Sequence, residues 1–418
     1  MSNILPLLLL PEAVQGEPEG TKPIPVHPLL GKPVFAHALK TLETVAGTCL
    51  LVPEHQDAQA LKDTYACERE YAVSFMAAAS AVDKGKVLVV RCDMPCLQPE
   101  TLQFLLAAVE GNVKASFLQW QGEDLEQEPG LRLGGTAYCF DARTLQKVLS
   151  DWEDGECTPL DALSEISQQG VKVEPVAADG DELISVRTRL DLSNAFACLQ
   201  ERINAWHMSR GVTLLVPEST YIDADVVIGP DTVIYPGCHL QQGSKIGSRC
   251  MLLPNCRLSG AVLADDVTVE SSVLLHCKVG AGTTVGPFAY LRPDSVIGEK
   301  CRIGDFVEIK NSSIGDGTKV SHLTYVGDGD LGKNINLGCG VVFTNYDGKH
   351  KHRTTVEDDA FVGCNVNLVS PVKVGKEAYV AAGSTVTEDV PEGALYVARS
   401  KGTVKEGWVQ KRKESGKL

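Results

Sequence analysis

Three sets of residues have the types and spacing to do chemistry. His322 sits in Val320-Ser-His-Leu-Thr-Tyr325, and Cys339, Cys364 and Ala382 take the same place in later units of a repeat. Arg292 and Lys310 share a second such place. Between Phe343 and Val356 the repeat is interrupted by Thr344-Asn-Tyr-Asp-Gly-Lys-His-Lys-His-Arg353, a polar and mostly basic excursion. An imidazole at the head of a run of small side chains, near a cluster of cations, suits general-base removal of a proton from a nucleophile that carries a phosphate. The small residues would form a shallow trough in which a long, thin acyl donor lies against backbone. Together these features point to acyl transfer onto a phosphorylated acceptor.

What must position them is the stretch from Ile222 to Val390. A branched aliphatic residue recurs there every six residues, as at Ile222, Ile228, Ile234, Leu240, Ile246, Leu252 and Leu258, and again from Val273 and from Val356. Gly often follows it, and a small residue often stands four places after it. A helix repeats at about 3.6 residues and a lone strand at about 2. A period of six fits a short strand plus a turn, with three units closing a triangular coil and neighbouring coils sharing one core. The pattern resembles the hexapeptide left-handed parallel β-helix.

Counting three units to a coil stacks the chain by arithmetic. Units beginning at 285, 291 and 297 make one coil, and those at 303, 309 and 314 the next. Then come 320, 326 and 331, then 337, 343 and 356, then 362, 368 and 374, and 380 opens another. Matching positions lie about 4.8 Å apart, so the column His322, Cys339, Cys364, Ala382 spans roughly 14 Å. Arg292 and Lys310, stacked about 5 Å apart, repel unless an anion lies between them; otherwise both reach into solvent. The excursion adds Lys349, Lys351, Arg353, His350 and His352. His350-x-His352 has the spacing of a metal pair but lacks an evident third ligand, and loop histidines are more often simply solvated.

The rest of the chain reads differently. Its 418 residues suffice for two or three domains. With 39 Lys and Arg against 54 Asp and Glu, the net charge of -15 argues against nucleic-acid binding. The apolar run Ile4–Leu10 is interrupted by Pro6, has no basic leader and is too short to span a bilayer, so a cytoplasmic protein without a membrane partner is expected. Fourteen cysteines include no CxxC, and Cys238, Cys250, Cys256 and Cys301 fall on the small-residue position, as reduced buried thiols would. Residues 4–10, 48–52, 86–92, 114–118 and 171–176 read as strands. Residues 36–46, 57–65, 99–109, 142–151 and 159–168 read as helices. The alternation suggests an open α/β sheet that binds ligands beyond the carboxyl ends of its strands. An amphipathic helix over 189–210, with Leu192, Ala195, Phe196, Leu199, Ile203 and Trp206 on one side, links it to the repeat. The predicted organisation is an α/β nucleotidyltransferase-like domain over 1–188, a linker helix over 189–210, a left-handed β-helix over 211–399 and a basic, solvated tail over 400–418.

Several longer segments carry a specific resemblance. Gly286-Pro-Phe-Ala-Tyr-Leu-Arg-Pro293, Gly304-Asp-Phe-Val-Glu-Ile-Lys310, His322-Leu-Thr-Tyr-Val-Gly-Asp328, Asn345-Tyr-Asp-Gly348, Phe361-Val-Gly363 and Lys405-Glu-Gly-Trp408 resemble the bacterial bifunctional N-acetylglucosamine-1-phosphate uridyltransferase / glucosamine-1-phosphate acetyltransferase (GlmU) family over residues 211–408. The resemblance implies acetyl-CoA-dependent N-acetylation of glucosamine 1-phosphate, a step toward UDP-N-acetylglucosamine and peptidoglycan, in a homotrimer with sites between subunits. His322 would be the general base for the 2-amino group. Arg292, Lys310 and Lys351 would hold the sugar phosphate, with Lys351 serving a neighbour's site. Tyr325, Asn336 and Asn345 would orient the sugar. Asn345 and Tyr346 would also border acetyl-CoA, whose channel Cys339, Cys364, Ala382 and Arg399 would line. The family usually carries Ala and Ser where this chain has Cys339 and Cys364.

The first domain departs from that family. The segment Leu10-Pro-Glu-Ala-Val-Gln-Gly-Glu-Pro-Glu-Gly-Thr-Lys22 keeps Gly20-Thr21, with Lys22 in place of an arginine, but sets Glu17 and Glu19 where a triphosphate would lie. No base-recognition segment is visible around Ser74–Ala81. Asp93, in Cys92-Asp-Met-Pro95, matches the family's Mg²⁺-binding aspartate, but its partner asparagine falls on Val186-Arg-Thr-Arg189, and Arg187 would repel the ion. The expectation is a degenerate uridyltransferase domain, with Mg²⁺ required only if that domain is active. The alternatives are a fully bifunctional enzyme, a non-catalytic trimeric β-helix scaffold, and a γ-type carbonic anhydrase, which would need three converging histidines.

Overall fold

The computed structural model describes residues 4–10, 24–53, 65, 67–120, 137–153 and 155–418. The chain divides into two compact units, Met1–Ile203 and Asn204–Leu418.

The first unit is built on a six-stranded sheet. Its elements are β1 (Ile4–Leu10), α1 (Val34–Ala46), β2 (Leu50–Pro53), α2 (Phe75–Ser80), β3 (Lys86–Arg91), α3 (Pro99–Ala108), β4 (Val113–Trp120), β5 (Ala137–Asp141), α4 (Ala142–Ser150), α5 (Pro159–Gln168) and β6 (Lys172–Ala178). The strand order is β2-β1-β3-β5-β4-β6. β1 pairs in parallel with β2 and β3, and β4 with β6, whereas β5 runs antiparallel between β3 and β4. That inserted strand was not expected from the sequence, and it makes the sheet mixed. β1 and β3 read as unbroken apolar runs because both faces are covered. Leu8, Leu10, Leu88 and Val90 enter the core on one side, and Leu7, Leu9, Val87 and Val89 the core on the other. Each such side chain contributes about 1.5–3 kcal/mol by burial. Local chemistry sets the helix starts: Ser74, Asp141 and Thr158 cap α2, α4 and α5, the last through a reciprocal capping box with Asp161. Apart from buried Tyr65, the helix expected over 57–65 lies outside the described residues, as does the Gly20-Thr21-Lys22 loop.

α6 (Arg189–Met208) follows. Its Ala195, with half-buried Leu192, Phe196 and Leu199, packs against Ile24, Leu29, Val34, Cys96 and Val186. Trp206 does not continue that stripe. It is exposed, with the Arg210 guanidinium 4.2 Å over its ring. Asn204 and His207 are buried instead, and Asn204 Nδ2 donates to the carbonyls of Pro217 (2.7 Å) and Thr220 (3.0 Å). A polar inward face in the last turns is invisible to a reading based on apolar period.

The second unit is a triangular prism of three parallel sheets with ten, nine and eleven strands, the left-handed β-helix expected. The coil arithmetic matches the observed register. Val285, Ile303, Val320, Leu337, Val362 and Val380 pair in sequence, as do Leu291, Ile309 and Val326, and Ile297, Ile314, Leu331, Val356 and Val374. All of these point inward and are buried. Residues such as Asp231, Asn255, Asp266 and Asp294 adopt positive φ at the corners, a conformation that Asn and Asp tolerate best after Gly. The small residues answer the corner carbonyls: Thr232, Thr283 and Thr318 each donate 2.8 Å hydrogen bonds to a glycine carbonyl on the next coil. The basic tail is exposed and carries a short helix, Trp408–Glu414. Among the described residues no helix is long and apolar enough to cross a membrane.

Candidate active site

The strand Lys319–His322 lies beside Arg302–Asp305 on the preceding coil, with Asp305 in register with His322. A Cβ on Gly304 would lie 2.0 Å from the Ser321 carbonyl oxygen, so glycine there permits the close approach. Asp305 Oδ1 is 2.5 Å from His322 Nδ1. The imidazole contact holds the Asp305 carboxyl below its ordinary value. A carboxylate accepting from Nδ1–H leaves the lone pair of the neutral ring on Nε2, the form of a general base. Asp305 was missed in the sequence, although it stands two places after Ile303 and so heads the His322 column.

Arg292 and Lys310 stack as counted, with the Arg292 amide donating to the Ile309 carbonyl at 2.9 Å. Arg292 is not free: Nη1 donates to Glu308 Oε1 at 2.8 Å, a contact that raises the arginine's value. Lys310 is held below the ordinary lysine value, first because its ammonium meets that of Lys351 and then by partial burial. Lys351, expected at a neighbour's site, thus reaches Lys310 of its own chain. Beneath them Asp328 is buried and accepts from Asn311 Nδ2 at 2.6 Å and Asn345 Nδ2 at 2.5 Å. Burial pushes Asp328 up, but Asn311, Asn345, Lys310 and Lys351 outweigh it and hold the carboxyl low. Tyr325 leans into the same place. A Cβ on Gly327 would sit 2.3 Å from Tyr325 Oη and 2.7 Å from Asn345 Nδ2. Tyr325, Asn345, Lys310 and Lys351 therefore converge around Gly327 and Asp328.

The excursion is a small hairpin, bridged antiparallel between Tyr346 and Lys351. Asp347 organises it. Its Oδ1 accepts from the amides of Lys349 and His350, both at 2.7 Å, and its Oδ2 lies 2.7 Å from His352 Nε2. His352 is thus a structural partner of Asp347. Arg353 ties down the base of the loop through Asp330, at 2.5 Å and 2.8 Å, and the Asn311 carbonyl at 3.2 Å. Among the described residues no group of three or more His, Cys, Asp or Glu is arranged to hold a metal.

On the other side of His322, the amides of Gly340, Asn365 and Gly383 bond to the carbonyls of His322, Cys339 and Cys364 at 3.3, 2.8 and 2.8 Å. His322, Cys339, Cys364 and Ala382 therefore form one continuous column. Arg399 runs along its far end, its Cδ within 3.7 Å of where a Gly383 Cβ would be. Tyr346 is exposed on the arm of the hairpin, opposite Lys351. Asn336 stands apart from these residues in the register, between Lys319 and Phe361 on the outer face of the same sheet.

Asp93, expected as a Mg²⁺ ligand, is buried in a guanidinium cage. Arg91 donates Nε to Oδ1 at 3.2 Å and Nη2 to Oδ2 at 2.9 Å, Ser185 donates to Oδ2 at 2.8 Å, and Arg187 Nε stands 3.8 Å away. The Val186 amide bonds to the Asp93 carbonyl at 2.8 Å, which brings the Val186-Arg-Thr-Arg189 segment to this carboxylate. Two guanidinium groups on one carboxylate do not fit a divalent cation, which needs free oxygen ligands and no neighbouring positive charge.

Residues 21–175 match the family model of a MobA-like NTP transferase domain, and residues 225–260 and 276–311 that of the bacterial transferase hexapeptide (six repeats). The bifunctional protein GlmU of Clostridium acetobutylicum is 46% identical over 318 residues, covering 75% of this chain and 70% of that protein. The bifunctional protein GlmU of Clostridium botulinum is 50% identical over 279 residues, covering 66% of this chain and 61% of that one. The chain thus spans 61–70% of the length of these relatives. A 4-diphosphocytidyl-2C-methyl-D-erythritol synthase from Anaerococcus prevotii overlays at a TM-score of 0.35 with 17% identity, covering 47% of this chain and 99% of that one.

Proposed function

The chain belongs to the GlmU family, and from that premise we propose that it transfers the acetyl group of acetyl-CoA to the 2-amino group of glucosamine 1-phosphate. His322 Nε2 takes a proton from the amine as nitrogen attacks the thioester carbonyl. The carbon–sulfur bond then breaks, and the leaving thiolate takes up the proton held by the imidazolium. Asp305 holds the ring in the required tautomer and stabilises its charged form. Lys310 and Lys351, with Arg292, hold the sugar phosphate, while Tyr325 and Asn345 orient the sugar. Asn336, on the outer face of the sheet, contacts the sugar, as the family resemblance implies. The acetyl-CoA chain lies along Cys339, Cys364 and Ala382, with Arg399 at its far end and Tyr346 at the loop. The observation that carries the reading is the Asp305–His322 pair at the head of the column, one coil from two lysines whose mutual repulsion an anion would relieve.

The uridyltransferase activity of the first unit is lost in this reading. Its support is the guanidinium cage on Asp93. A homotrimer is proposed as the working assembly, with domain limits as the sequence suggests. The test is steady-state acetylation of glucosamine 1-phosphate by the wild type and His322→Ala, alongside pyrophosphate release from UTP, Mg²⁺ and N-acetylglucosamine 1-phosphate. Absence of acetyl transfer in the wild type sinks the first claim; rapid pyrophosphate release sinks the second.

A further inference from the structure

We infer that Cys339 and Cys364 are a redox-sensitive thiol pair in the floor of the donor trough, closed by low-molecular-weight disulfides to switch acetyl transfer off. The inference rests on the reading of that column as the acetyl-CoA trough.

The two cysteines hold matching places on adjacent coils, two residues beyond the paired Leu337 and Val362, and the Asn365 amide bonds to the Cys339 carbonyl at 2.8 Å. Matched positions on neighbouring strands lie about 4.8 Å apart, inside the range of about 4.4–6.8 Å between Cα atoms that a disulfide spans. Nothing separates the coils: a Cβ on Gly338 would lie 2.6 Å from the Cys364 amide nitrogen. Both thiols are free, Cys364 is exposed and Cys339 half-buried. The β-helix supplies its own contrast. Cys238 and Cys256 also match on adjacent coils, but both are fully buried, where no oxidant reaches them.

The chemistry balances in two exchanges. The Cys364 thiolate attacks one sulfur of a disulfide RS–SR; that bond breaks and one RS⁻ leaves and takes a proton. The Cys339 thiolate then attacks the Cys364 sulfur and expels the second RS⁻. Two protein thiols are oxidised by two electrons while one small disulfide is reduced to two thiols. The new bond pins the trough floor one coil from His322, where displacements of about 1 Å can cost a hundredfold in rate.

The test treats the full chain with oxidised glutathione, alkylates the remaining thiols, and maps the peptides by mass spectrometry. A linked peptide pair containing Cys339 and Cys364 is expected, with acetyl transfer falling about tenfold or more and returning on reduction with dithiothreitol. Cys339→Ser and Cys364→Ser are each compared with their own reduced form, so a changed basal rate does not enter. In Cys364→Ser, which lacks the attacking thiol, the oxidised-to-reduced ratio should stay near one, whereas Cys339→Ser should stop at the Cys364 mixed disulfide, seen in the peptide map as a glutathione adduct in place of the linked pair. Cys339 and Cys364 remaining alkylatable after oxidation overturns the pair. Linkage with an unchanged wild-type rate overturns the switch. A reduced wild type that transfers no acetyl group refutes the trough reading, and the switch with it, which the peptide map distinguishes from failure of the pair.

Discussion

Asp305 Oδ1 lies 2.5 Å from His322 Nδ1, contributed from the neighbouring coil. The contact sets the tautomer of the ring, so Asp305 is a positioning residue. His322→Ala should lower kcat about 10²–10⁴-fold. Asp305→Asn should lower kcat by up to about 10⁴-fold, through the wrong ring tautomer, with KM for both substrates nearly unchanged. Because the pair depresses the Asp305 value, its effect is present above the ordinary carboxylate range and is lost as pH falls through the folded-state value. The deficit of Asp305→Asn should therefore stay constant through neutral pH. Equal kcat in wild type and variant would reject the role.

Lys310 is pulled down chiefly by Lys351. Without ligand it sheds its proton at lower pH than an ordinary lysine, so phosphate binding weakens first on the alkaline side. Lys351→Met should raise KM for the sugar phosphate about 10- to 100-fold at neutral pH. It should also move the alkaline rise in KM to higher pH, since the depressing neighbour is gone. KM against pH for both proteins checks this; an alkaline limb that does not move contradicts the pairing.

Asp328 is buried between two asparagine donors under two lysines. Asp328→Asn should destabilise the β-helix by about 1–3 kcal/mol at neutral pH, because one of the amide donors loses its acceptor. The depressed folded-state value gives wild-type stability that is present above about pH 3.9 and lost as pH falls through that lower value. Urea unfolding at a series of pH values should show this acid limb in wild type and its absence in the variant.

In the first unit, Arg187→Asn with Arg91→Gly should free the Asp93 carboxylate. Mn²⁺ titration followed by electron paramagnetic resonance should detect a bound ion in the double variant and none attributable to this carboxylate in the wild type. Binding of equal strength in both would mean that the guanidinium cage opens readily.

Much of the second unit was legible because its period is mechanical. Six residues to a side, with an inward aliphatic in each, leave one register that buries every aliphatic, so counting alone stacked Val285 on Ile303 and His322 above Cys339. The first unit was less so. Strand β5 follows residues 121–136 with no clear alternation, and α6 turns polar residues inward after Ile203. Apolar period cannot report Asn204 or His207; Asn204 is held inward by the Pro217 and Thr220 carbonyls, and His207 is buried close by in the sequence.

The sequence by itself determined the coil, the columns, and therefore the alignment of His322 with Cys339, Cys364 and Ala382 and of Arg292 with Lys310. Only the tertiary structure decided how side chains meet across coils. Asp305 became the partner of His322, Glu308 took Arg292, Lys351 folded back on Lys310, and Asp328 collected Asn311 and Asn345. It also decided that Asp93 meets Arg91 and Arg187, residues 2 and 94 positions away in the chain. Periodicity fixes backbone positions along an axis, whereas charge pairing depends on side-chain reach and on loops, such as 344–353, that leave the period.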